Sequence, residues 1–228
     1  MAEQPMKIIA HIQNGFTSKF GIPRQSGLVP NMTSQIVFEP EFRNIDAIRG
    51  LEDFSHLWLI WKFSQSKPTD ALTVRPPRLG GNKRMGVFAT RSPFRPNPIG
   101  LSCVKIEKTE ADPALGPIIY VSSADLMNGT PIYDIKPYLP YADCISNAVG
   151  GFADKVKDYR LNVNIPDVFC RDFDNKFITA LTEILANDPR PSYQNEPDRI
   201  YGFNFEGFEI RFKVNGNNLT LTEISKLK

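Results

Sequence analysis

The first 140 or so residues alternate short apolar runs with turn residues, and this spacing constrains the fold more than any other feature. The runs cover residues 7–12, 55–63, 85–90, 99–106 and 117–121. They are short and lie between clusters rich in Pro and Gly, which is the pattern of short β-strands in a barrel or sandwich. No segment before residue 160 shows the apolar period of an amphipathic helix. There is also no G-x-G-x-x-G after a strand, so a Rossmann cofactor fold is disfavoured.

The end of the chain has a different pattern. Apolar residues recur at helical spacing between Phe173 and Leu185, with Asp174 placed to favour the start of a helix and Asp188-Pro189 to end it. Residues 208–214 then alternate apolar and charged, and Asn215-Gly216 predicts a hairpin. The segment 147–166 reads as a connection. We therefore predict a mainly β protein: a small β-barrel domain over 1–146 and a smaller α+β domain over 147–228.

Composition limits the chemistry. The three cysteines, Cys103, Cys144 and Cys170, are widely spaced, and His11 and His56 are the only histidines, so neither a disulfide scaffold nor a zinc site is expected. An organic cofactor or side chains alone should supply the chemistry, with no metal. There is no run of about 18 apolar residues and no basic, apolar leader at the start, so we expect a cytoplasmic protein without a membrane partner.

The charges are unevenly distributed. The net charge is +2, yet residues 71–106 contain no Asp or Glu, whereas about four would be expected at average composition. The basic residues of this segment are Arg75, Arg78, Lys83, Arg84, Arg91, Arg95 and Lys105. Prolines at 76, 77, 93, 96 and 98 stiffen it, which favours a preorganised anion site over the alternative of a solvated basic loop.

A second segment, residues 125–143, places carboxylates next to turns and aromatic residues. Asp125 with Asn128-Gly129 has the composition of a turn that caps itself, and such a structural role is the plainer interpretation of Asp125 alone. Opposite charges in two rigid segments of one domain nevertheless indicate a site for a zwitterion.

Several long motifs in order resemble the TrmO/YaeB family. They are FGIPRQ at 20–25, LEDFSHLW at 51–58, VRPPRLGGN at 74–82, GVFATRSP at 86–93 and the segment 125–140, while DPRP at 188–191 and Tyr201-Gly202 are similar to the tail of bacterial members. The resemblance implies a homodimeric β-barrel methyltransferase that uses S-adenosylmethionine. The family substrate is N6 of threonylcarbamoyladenosine at position 37 of threonine tRNA.

The resemblance also implies site residues. Its cofactor contacts fall on Pro23, Arg24, Gln25, Ser64, Gln65, Arg91, Leu101, Asp125, Leu126, Met127 and Asn128. This sequence departs from the family at two of them, because the family commonly has His where Ser64 stands and Asp where Asn128 stands. Asn128 keeps an acceptor oxygen but loses the charge, so we expect a weaker or rearranged contact there.

The catalytic and RNA-binding predictions come from the chemistry of the proposed reaction. Asn97, between two prolines, is a candidate acceptor for the N6 protons, and Asp134 is a candidate to take the released proton or fix the substrate; structural hydrogen bonding is the alternative for both. Candidates for the phosphates of a tRNA anticodon loop are Arg75, Arg78, Lys83, Arg84 and Arg95. Candidates for stacking on an unstacked base are Phe94, Tyr133, Tyr138 and Tyr141, and packing is the alternative for the tyrosines.

Two other functions remain open at this stage. The domain could bind S-adenosylmethionine or RNA without transferring anything, or it could methylate another RNA or a small molecule. Transfer of labelled methyl groups into tRNA separates the first alternative from an enzyme, and the identity of the labelled product separates the second.

Overall fold

The computed structural model describes residues 5–79, 83–190, 194 and 196–227. The motif residues Gly80, Gly81, Asn82 and Pro191 lie outside this description, as does the side chain of Arg78. The strands are β1 (Ala10–Gln13), β2 (Thr33–Phe38), β3 (His56–Lys62), β4 (Thr73–Val74), β5 (Met85–Gly86), β6 (Ile99–Asp112), β7 (Gly116–Ser122), β8 (Pro131–Pro137), β9 (Asn162–Asn164), β10 (Tyr201–Phe205), β11 (Phe208–Asn215) and β12 (Asn218–Lys226). The α-helices are α1 (Pro140–Asp143), α2 (Asp167–Cys170) and α3 (Asn175–Ala186).

Six strands form a closed barrel in the order β1-β2-β7-β6-β3-β8, and every pair is antiparallel. Alternation along β3 shows why the barrel forms: Leu57, Leu59 and Trp61 are buried inside, while the residues between them face outward and are only partly covered. The predicted mainly β fold with a small barrel is confirmed. No helix in the described part of the chain is long and apolar enough to cross a membrane.

The antiparallel order collects several loops at one end of the barrel, which we call the rim. The loop 14–32 after β1, the residues after β3, those before β6 and those between β7 and β8 all lie there, because Lys62 pairs with Ile99 and Trp61 with Ile132. These are the segments that carry most of the predicted site residues. The fold therefore gives residues far apart in sequence a common location.

Three parts of the barrel domain differ from the predicted strands. Residues 85–90 form a strand only over β5, which pairs with β4; Val87–Ala89 turn into a 3-10 helix, and Thr90 closes it by donating its hydroxyl to the Val87 carbonyl at 2.8 Å. Strands β2 and β8 were not predicted. The three consecutive buried residues that end β2 and the charged residues within β8 hide the period of two.

The tail confirms the predicted helix and hairpin. Asp174 caps α3 by accepting the backbone N–H of Phe177 at 2.7 Å, and β11 and β12 pair across the Asn215-Gly216 turn. The predicted connection contains a short strand, β9, that pairs in parallel with β12 in the sheet order β10-β11-β12-β9. One continuous apolar core joins the barrel to this sheet and to α3. The tail is thus packed against the rim of the barrel.

Candidate functional site

The rim holds a polar cluster centred on Asp125. Its Oδ1 accepts a 2.5 Å hydrogen bond from the hydroxyl of Ser102, which faces the barrel interior from β6. The same hydroxyl accepts the indole N–H of Trp61 at 2.9 Å. The backbone N–H of Ser26 also donates to Asp125, and the Arg91 guanidinium is close enough to act on its charge. A carboxylate is therefore fixed at the rim by donors from β6 and the loop 14–32, with the charge of Arg91 nearby.

Burial raises the pKa of Asp125, and the hydrogen bonds from Ser102, Ser26 and its own backbone, together with Arg91, oppose this effect only in part. A carboxylate that is buried beside a specific charge partner is a candidate for a ligand site. Asp125 consequently has the environment of a group that receives a cationic or hydrogen-bond-donating ligand.

The indole of Trp61 needs space that only glycine leaves. Gly100 lies opposite Trp61 on the neighbouring strand, and a Cβ there would come within 2.2 Å of the ring atom Cε2. Phe63 packs on Trp61 with ring centroids 4.3 Å apart. Gly100 therefore lets the indole lie flat across β6, and this position presents the indole N–H to Ser102.

The loop 14–32 brings further predicted residues to the cluster. Nη1 of Arg91 donates to Oε1 of Gln25 at 2.6 Å, and Nε2 of Gln25 donates to the carbonyl of Arg24 at 2.5 Å. Arg24 itself turns toward the tail, where Nη2 donates to the Arg190 carbonyl at 2.9 Å. Pro23 is buried in the wall of a cleft of about 230 Å³ between the loop and the residues after α3. Arg91 thus contacts Gln25 by a hydrogen bond and lies near enough to Asp125 to act on its charge.

The remaining predicted cofactor residues are placed in three ways. Leu126 is fully buried in the core and Met127 is half-buried, so the side chain of Leu126 is not available to a ligand. Oδ1 of Asn128 accepts the backbone N–H of Asn14 at 3.0 Å, which holds the turn against the loop after β1. Asn128 therefore uses its acceptor oxygen within the protein.

Ser64, Gln65 and Leu101 lie at the edge of this arrangement. Ser64 and Gln65 are exposed just beyond β3, and the Gln65 carbonyl accepts Nζ of Lys19 at 3.1 Å. Leu101 is 53% exposed and faces away from the barrel, on the side opposite Ser102. The structure therefore does not bring the side chain of Leu101 to Asp125.

The two candidate catalytic residues lie on segments other than that of Asp125, Asn97 before β6 and Asp134 on β8. Asn97 is exposed before β6, and its carbonyl accepts the Ile99 N–H at 2.7 Å, which fixes the backbone between the prolines. Asp134 pairs with Nζ of Lys136 at 2.9 Å and lies across β3 from Leu101, because both pair with Ile60. Asp134, Ile60 and Leu101 hence form a row on the outer face of the barrel near the rim.

The basic segment forms a hairpin beside the rim. Arg75 follows β4 and Arg84 precedes β5, so the two lie across the hairpin from each other; Arg78 lies in the 3-10 helix Pro77–Leu79. Nη1 of Arg84 donates to the Thr73 hydroxyl at 3.0 Å and Nη1 of Arg95 to the Thr90 carbonyl at 3.2 Å. None of the ion pairs found among described residues involves Arg75, Lys83, Arg84, Arg91 or Arg95.

Two aromatic groups accompany these cations. Phe94 is 58% exposed in the loop before β6, and Phe88 is 77% exposed in the 3-10 helix after β5. Tyr141 is exposed after β8, whereas Tyr138 packs on Trp58 with ring centroids 5.8 Å apart. The surface beside the rim therefore combines exposed rings with four basic residues that make no ion pair among the described side chains, Arg75, Lys83, Arg84 and Arg95.

Sequence reasoning missed Ser102 and Trp61. Both lie at inward positions of their strands, and a polar Ser102 at a position that should be apolar was the available signal. Among the described residues, no group of three or more His, Cys, Asp or Glu side chains is arranged to hold a metal ion.

Comparison with known proteins shows which families and proteins this chain is similar to. The family model for the tRNA-methyltransferase O N-terminal domain matches residues 11–144, and the model for the TrmO C-terminal domain matches residues 169–227. The chain is 38% identical to the tRNA (adenine(37)-N6)-methyltransferase of Escherichia coli strain K12 over 219 residues, which are 90% of this chain and 91% of that protein.

A second relative is a putative S-adenosylmethionine-dependent methyltransferase, RcsF, of Pseudomonas aeruginosa PAO1, which is 39% identical over 213 residues and 90% of both chains. A crystal structure of TrmO from P. aeruginosa superimposes with a TM-score of 0.79 at 31% identity, covering 99% of this chain and 98% of that one. The fold and the matched length agree with these relatives, and the chain belongs to the tRNA-methyltransferase O family.

Proposed function

We propose that this protein transfers the methyl group of S-adenosylmethionine to N6 of adenosine 37 in tRNA, and that its substrate is threonylcarbamoyladenosine in threonine tRNA. The observation that carries the proposal is the rim cluster, in which Asp125, Gln25 and Arg91 meet between the barrel and an acid-free basic hairpin. Family membership supplies the reaction class. The cluster supplies charges of both signs, which a zwitterionic methyl donor requires.

The residues present fit such a donor. S-adenosylmethionine has an amino group and ribose hydroxyls that can donate hydrogen bonds to a carboxylate of the protein. Its own carboxylate can be bound by a guanidinium. Asp125 is anchored through Ser102 at Oδ1, and Arg91 donates from one side of its fork to Gln25. We assign Asp125, Gln25 and Arg91 to hold the donor, with the exposed Ser64 and Gln65 bordering it. When bound, the donor supplies an activated methyl group on a sulfonium.

The protein's own share of the reaction is alignment and removal of a proton. Methyl transfer needs the acceptor nitrogen in line with the leaving sulfur and shielded from water, so fixed backbones are more useful than mobile side chains. Asn97, held by its carbonyl contact with Ile99, is assigned to accept a hydrogen bond from the single N6–H and so orient the nitrogen for attack. Asp134, paired with Lys136 on the outer face, is assigned to take the proton that N6 loses or to hold the substrate.

The basic hairpin is assigned to the anticodon loop. Arg75, Arg78, Lys83, Arg84 and Arg95 would neutralise phosphates, and the exposed ring of Phe94 would receive the unstacked base. None of the ion pairs among the described side chains involves Arg75, Lys83, Arg84 or Arg95, so these four can bind phosphate without first breaking an ion pair.

A homodimer is part of the proposal. Leu101 and Ile99 expose apolar surface on the outer face of β6, and Tyr141, Ile145 and Val149 follow on the segment after β8 at 87%, 67% and 90% exposure. A patch of this kind on a folded protein is typical of an interface. A second copy covering it would also enclose the row from Leu101 to Asp134. Sedimentation velocity on wild-type protein and on Leu101→Asp tests this, and a monomeric wild type contradicts it.

The decisive experiment is methyl transfer in vitro. Purified protein is incubated with labelled S-adenosylmethionine and total tRNA from a strain lacking the modification, and the tRNA is then digested and its nucleosides analysed by mass. We expect the label in N6-methyl-threonylcarbamoyladenosine, and none when the tRNA comes from cells that cannot add the threonylcarbamoyl group. Label in a different nucleoside or in a small molecule contradicts the assigned substrate. If the protein binds S-adenosylmethionine saturably but transfers no methyl group, it is a binding module and not an enzyme.

The proposed location is the cytoplasm, where tRNA is modified. The thiols of Cys103, Cys144 and Cys170 are unpaired in the structure, which suits a reducing compartment. Fractionation of cells expressing a tagged copy at natural levels tests it.

A further inference from the structure

The cofactor loop does not support itself. Residues 14–32 contain no helix or strand, although they carry Pro23, Arg24 and Gln25. Gly21 shows what supports the loop: its φ is +93°, and a Cβ there would lie 2.3 Å from Cδ2 of Phe203, a buried residue of β10 in the tail. The loop is therefore packed directly on the C-terminal domain.

Arg24 makes the polar part of this contact. Its Nη2 donates to the carbonyls of Arg190 at 2.9 Å and Asp188 at 3.4 Å, across 166 and 164 residues of sequence. Burial lowers the pKa of Arg24 and the charge of Asp188 opposes this, so the guanidinium sits in a confined space beside the tail. Its neighbour Gln25 donates to the Arg24 carbonyl and accepts from Arg91. A line of contacts therefore runs from the tail to the rim cluster.

The turn that receives Arg24 is itself locked. Asp188 has a φ of +53°, a left-handed conformation that residues other than glycine rarely adopt. Its carboxylate accepts from Nε and Nη2 of Arg190 at 2.8 and 3.0 Å and from the hydroxyl of Tyr159 at 2.9 Å. A bidentate, buried pair of this kind fixes direction as well as distance. The carbonyls of the turn are consequently held in place toward Arg24.

From these contacts we infer that the C-terminal domain is a positioning element for the methyl-donor site: the Asp188 turn holds Arg24, and Arg24 holds the backbone of Pro23–Gln25 where the donor binds. The inference rests on the proposed donor site. It makes Asp188 a positioning residue, since its side chain contacts Arg190 and Tyr159. It also makes Arg24 a link to the tail, so its guanidinium is not the group that binds the donor.

The test measures affinity for S-adenosylhomocysteine by calorimetry, without tRNA. Asp188→Asn keeps a residue that tolerates the left-handed turn but replaces one of the two oxygens that pair with Arg190 by an N–H donor. We expect its dissociation constant to rise about tenfold, as for loss of a charge-assisted bidentate contact. Arg24→Lys keeps the positive charge but loses the planar guanidinium that reaches two carbonyls, and we expect a similar rise in the dissociation constant. In steady-state assays the KM for S-adenosylmethionine should rise much more than kcat falls.

Glu183→Gln is the matched control. Glu183 lies on α3 at the same interface and accepts the side chain and backbone N–H of Asn31 at 2.5 and 3.2 Å, so the change from carboxylate to amide is the same. Because Asn31 is remote from Gln25 in the loop, we expect affinity within twofold of wild type. Equal losses in both variants would mean that any damage to the interface weakens the site, and would overturn the inference.

The double variant separates positioning from direct contact. If Arg24 acts through the turn, Asp188→Asn adds little once Arg24 is Lys; if Arg24 binds the donor itself, the two losses multiply, and the inference is wrong. Tyr159→Phe, which deletes one hydroxyl, replaces Asp188→Asn should that variant fail to fold. Wild-type affinity in a folded Asp188 or Tyr159 variant overturns this inference alone. No saturable binding by the wild type overturns the donor site and this inference together.

Discussion

The hydroxyl of Ser102 donates to Oδ1 of Asp125 at 2.5 Å, and this contact ties the inward face of β6 to the turn that precedes β8. Ser102 in turn accepts the indole N–H of Trp61, so one buried hydroxyl connects two strands, β3 and β6, to the carboxylate. Such a chain of donors keeps a carboxylate in one orientation at the rim while leaving part of its acceptor capacity unused. The Asp125 site is therefore rigid before any ligand arrives.

Asp125→Asn should make the protein more stable near neutral pH while weakening the methyl-donor site. Burial raises the pKa of Asp125 in the folded state above its unfolded value, so the stability that it contributes is present below the unfolded pKa and is lost as pH rises through the folded pKa. The asparagine side chain does not ionise, so the variant avoids this loss of stability. Urea unfolding across acidic to neutral pH should show the variant gaining on wild type as pH rises, while calorimetry shows weaker donor binding.

Asp134→Asn is the control for Asp125. Its carboxylate is partly exposed and paired with Lys136, so we expect the unfolding free energy to change by about 0.5 kcal/mol or less. If Asp125→Asn is less stable than wild type across the whole range, the carboxylate is a structural anchor and its burial is not a cost to folding.

Local chemistry made some elements predictable. Helix α3 could be predicted because Asp174 caps its first turn and its apolar residues keep a strict period; the hairpin of β11 and β12 could be predicted from Asn215-Gly216. Strand β8 could not, since it begins with proline and carries Asp134 and Lys136, and it exists because β1 and β3 pair with it from either side. Tertiary pairing decides such a strand.

The site shows the same division. Composition alone predicted that the arginine-rich segment and the Asp125 segment would form one site, and Arg91 does lie near Asp125. The role of Ser102 depends on Asp125, which is 23 residues away in sequence, and that of Arg24 on a turn more than 160 residues away. Contacts between residues so far apart in sequence produce no local sequence pattern, so the roles of Ser102 and Arg24 could be found only in the folded chain.

Gly100→Ala should destabilise the protein by about 1–3 kcal/mol, the usual cost of forcing extra volume into a packed interior. The new Cβ would lie 2.2 Å from the Trp61 ring, so the indole must move and its N–H must leave Ser102. Donor binding should fall with it. Gly86→Ala is the control, because a Cβ there has no neighbour within 4 Å and the φ of −56° suits alanine. Equal unfolding midpoints for the two variants would contradict the close contact.

Asn128→Asp should strengthen donor binding without loss of stability. The aspartate keeps an oxygen for the backbone N–H of Asn14, now at 3.0 Å, and adds the charge that the family commonly has at this position. An exposed charge near a cationic ligand contributes up to about 1 kcal/mol, so we expect an affinity gain of about threefold for S-adenosylmethionine. The gain should be smaller for S-adenosylhomocysteine, which lacks the sulfonium charge. Equal gains for both ligands would show that charge is not the cause.

Arg84→Ala and Arg95→Ala should weaken tRNA binding and reduce its dependence on salt. Each cation lies in the acid-free segment and contacts a neutral oxygen, Thr73 Oγ1 or the Thr90 carbonyl, so each is available to a phosphate. Losing one phosphate contact in a single-stranded loop should reduce the slope of log K against log salt by about 0.7. Filter binding of an anticodon stem-loop over a salt series measures this. Arg49→Ala, at the opposite end of the barrel and paired with Asp46, is the matched control and should leave the slope unchanged. Wild-type slopes in both variants would exclude the segment from RNA binding, because an exposed cation that contacts a phosphate cannot be removed without releasing fewer counterions.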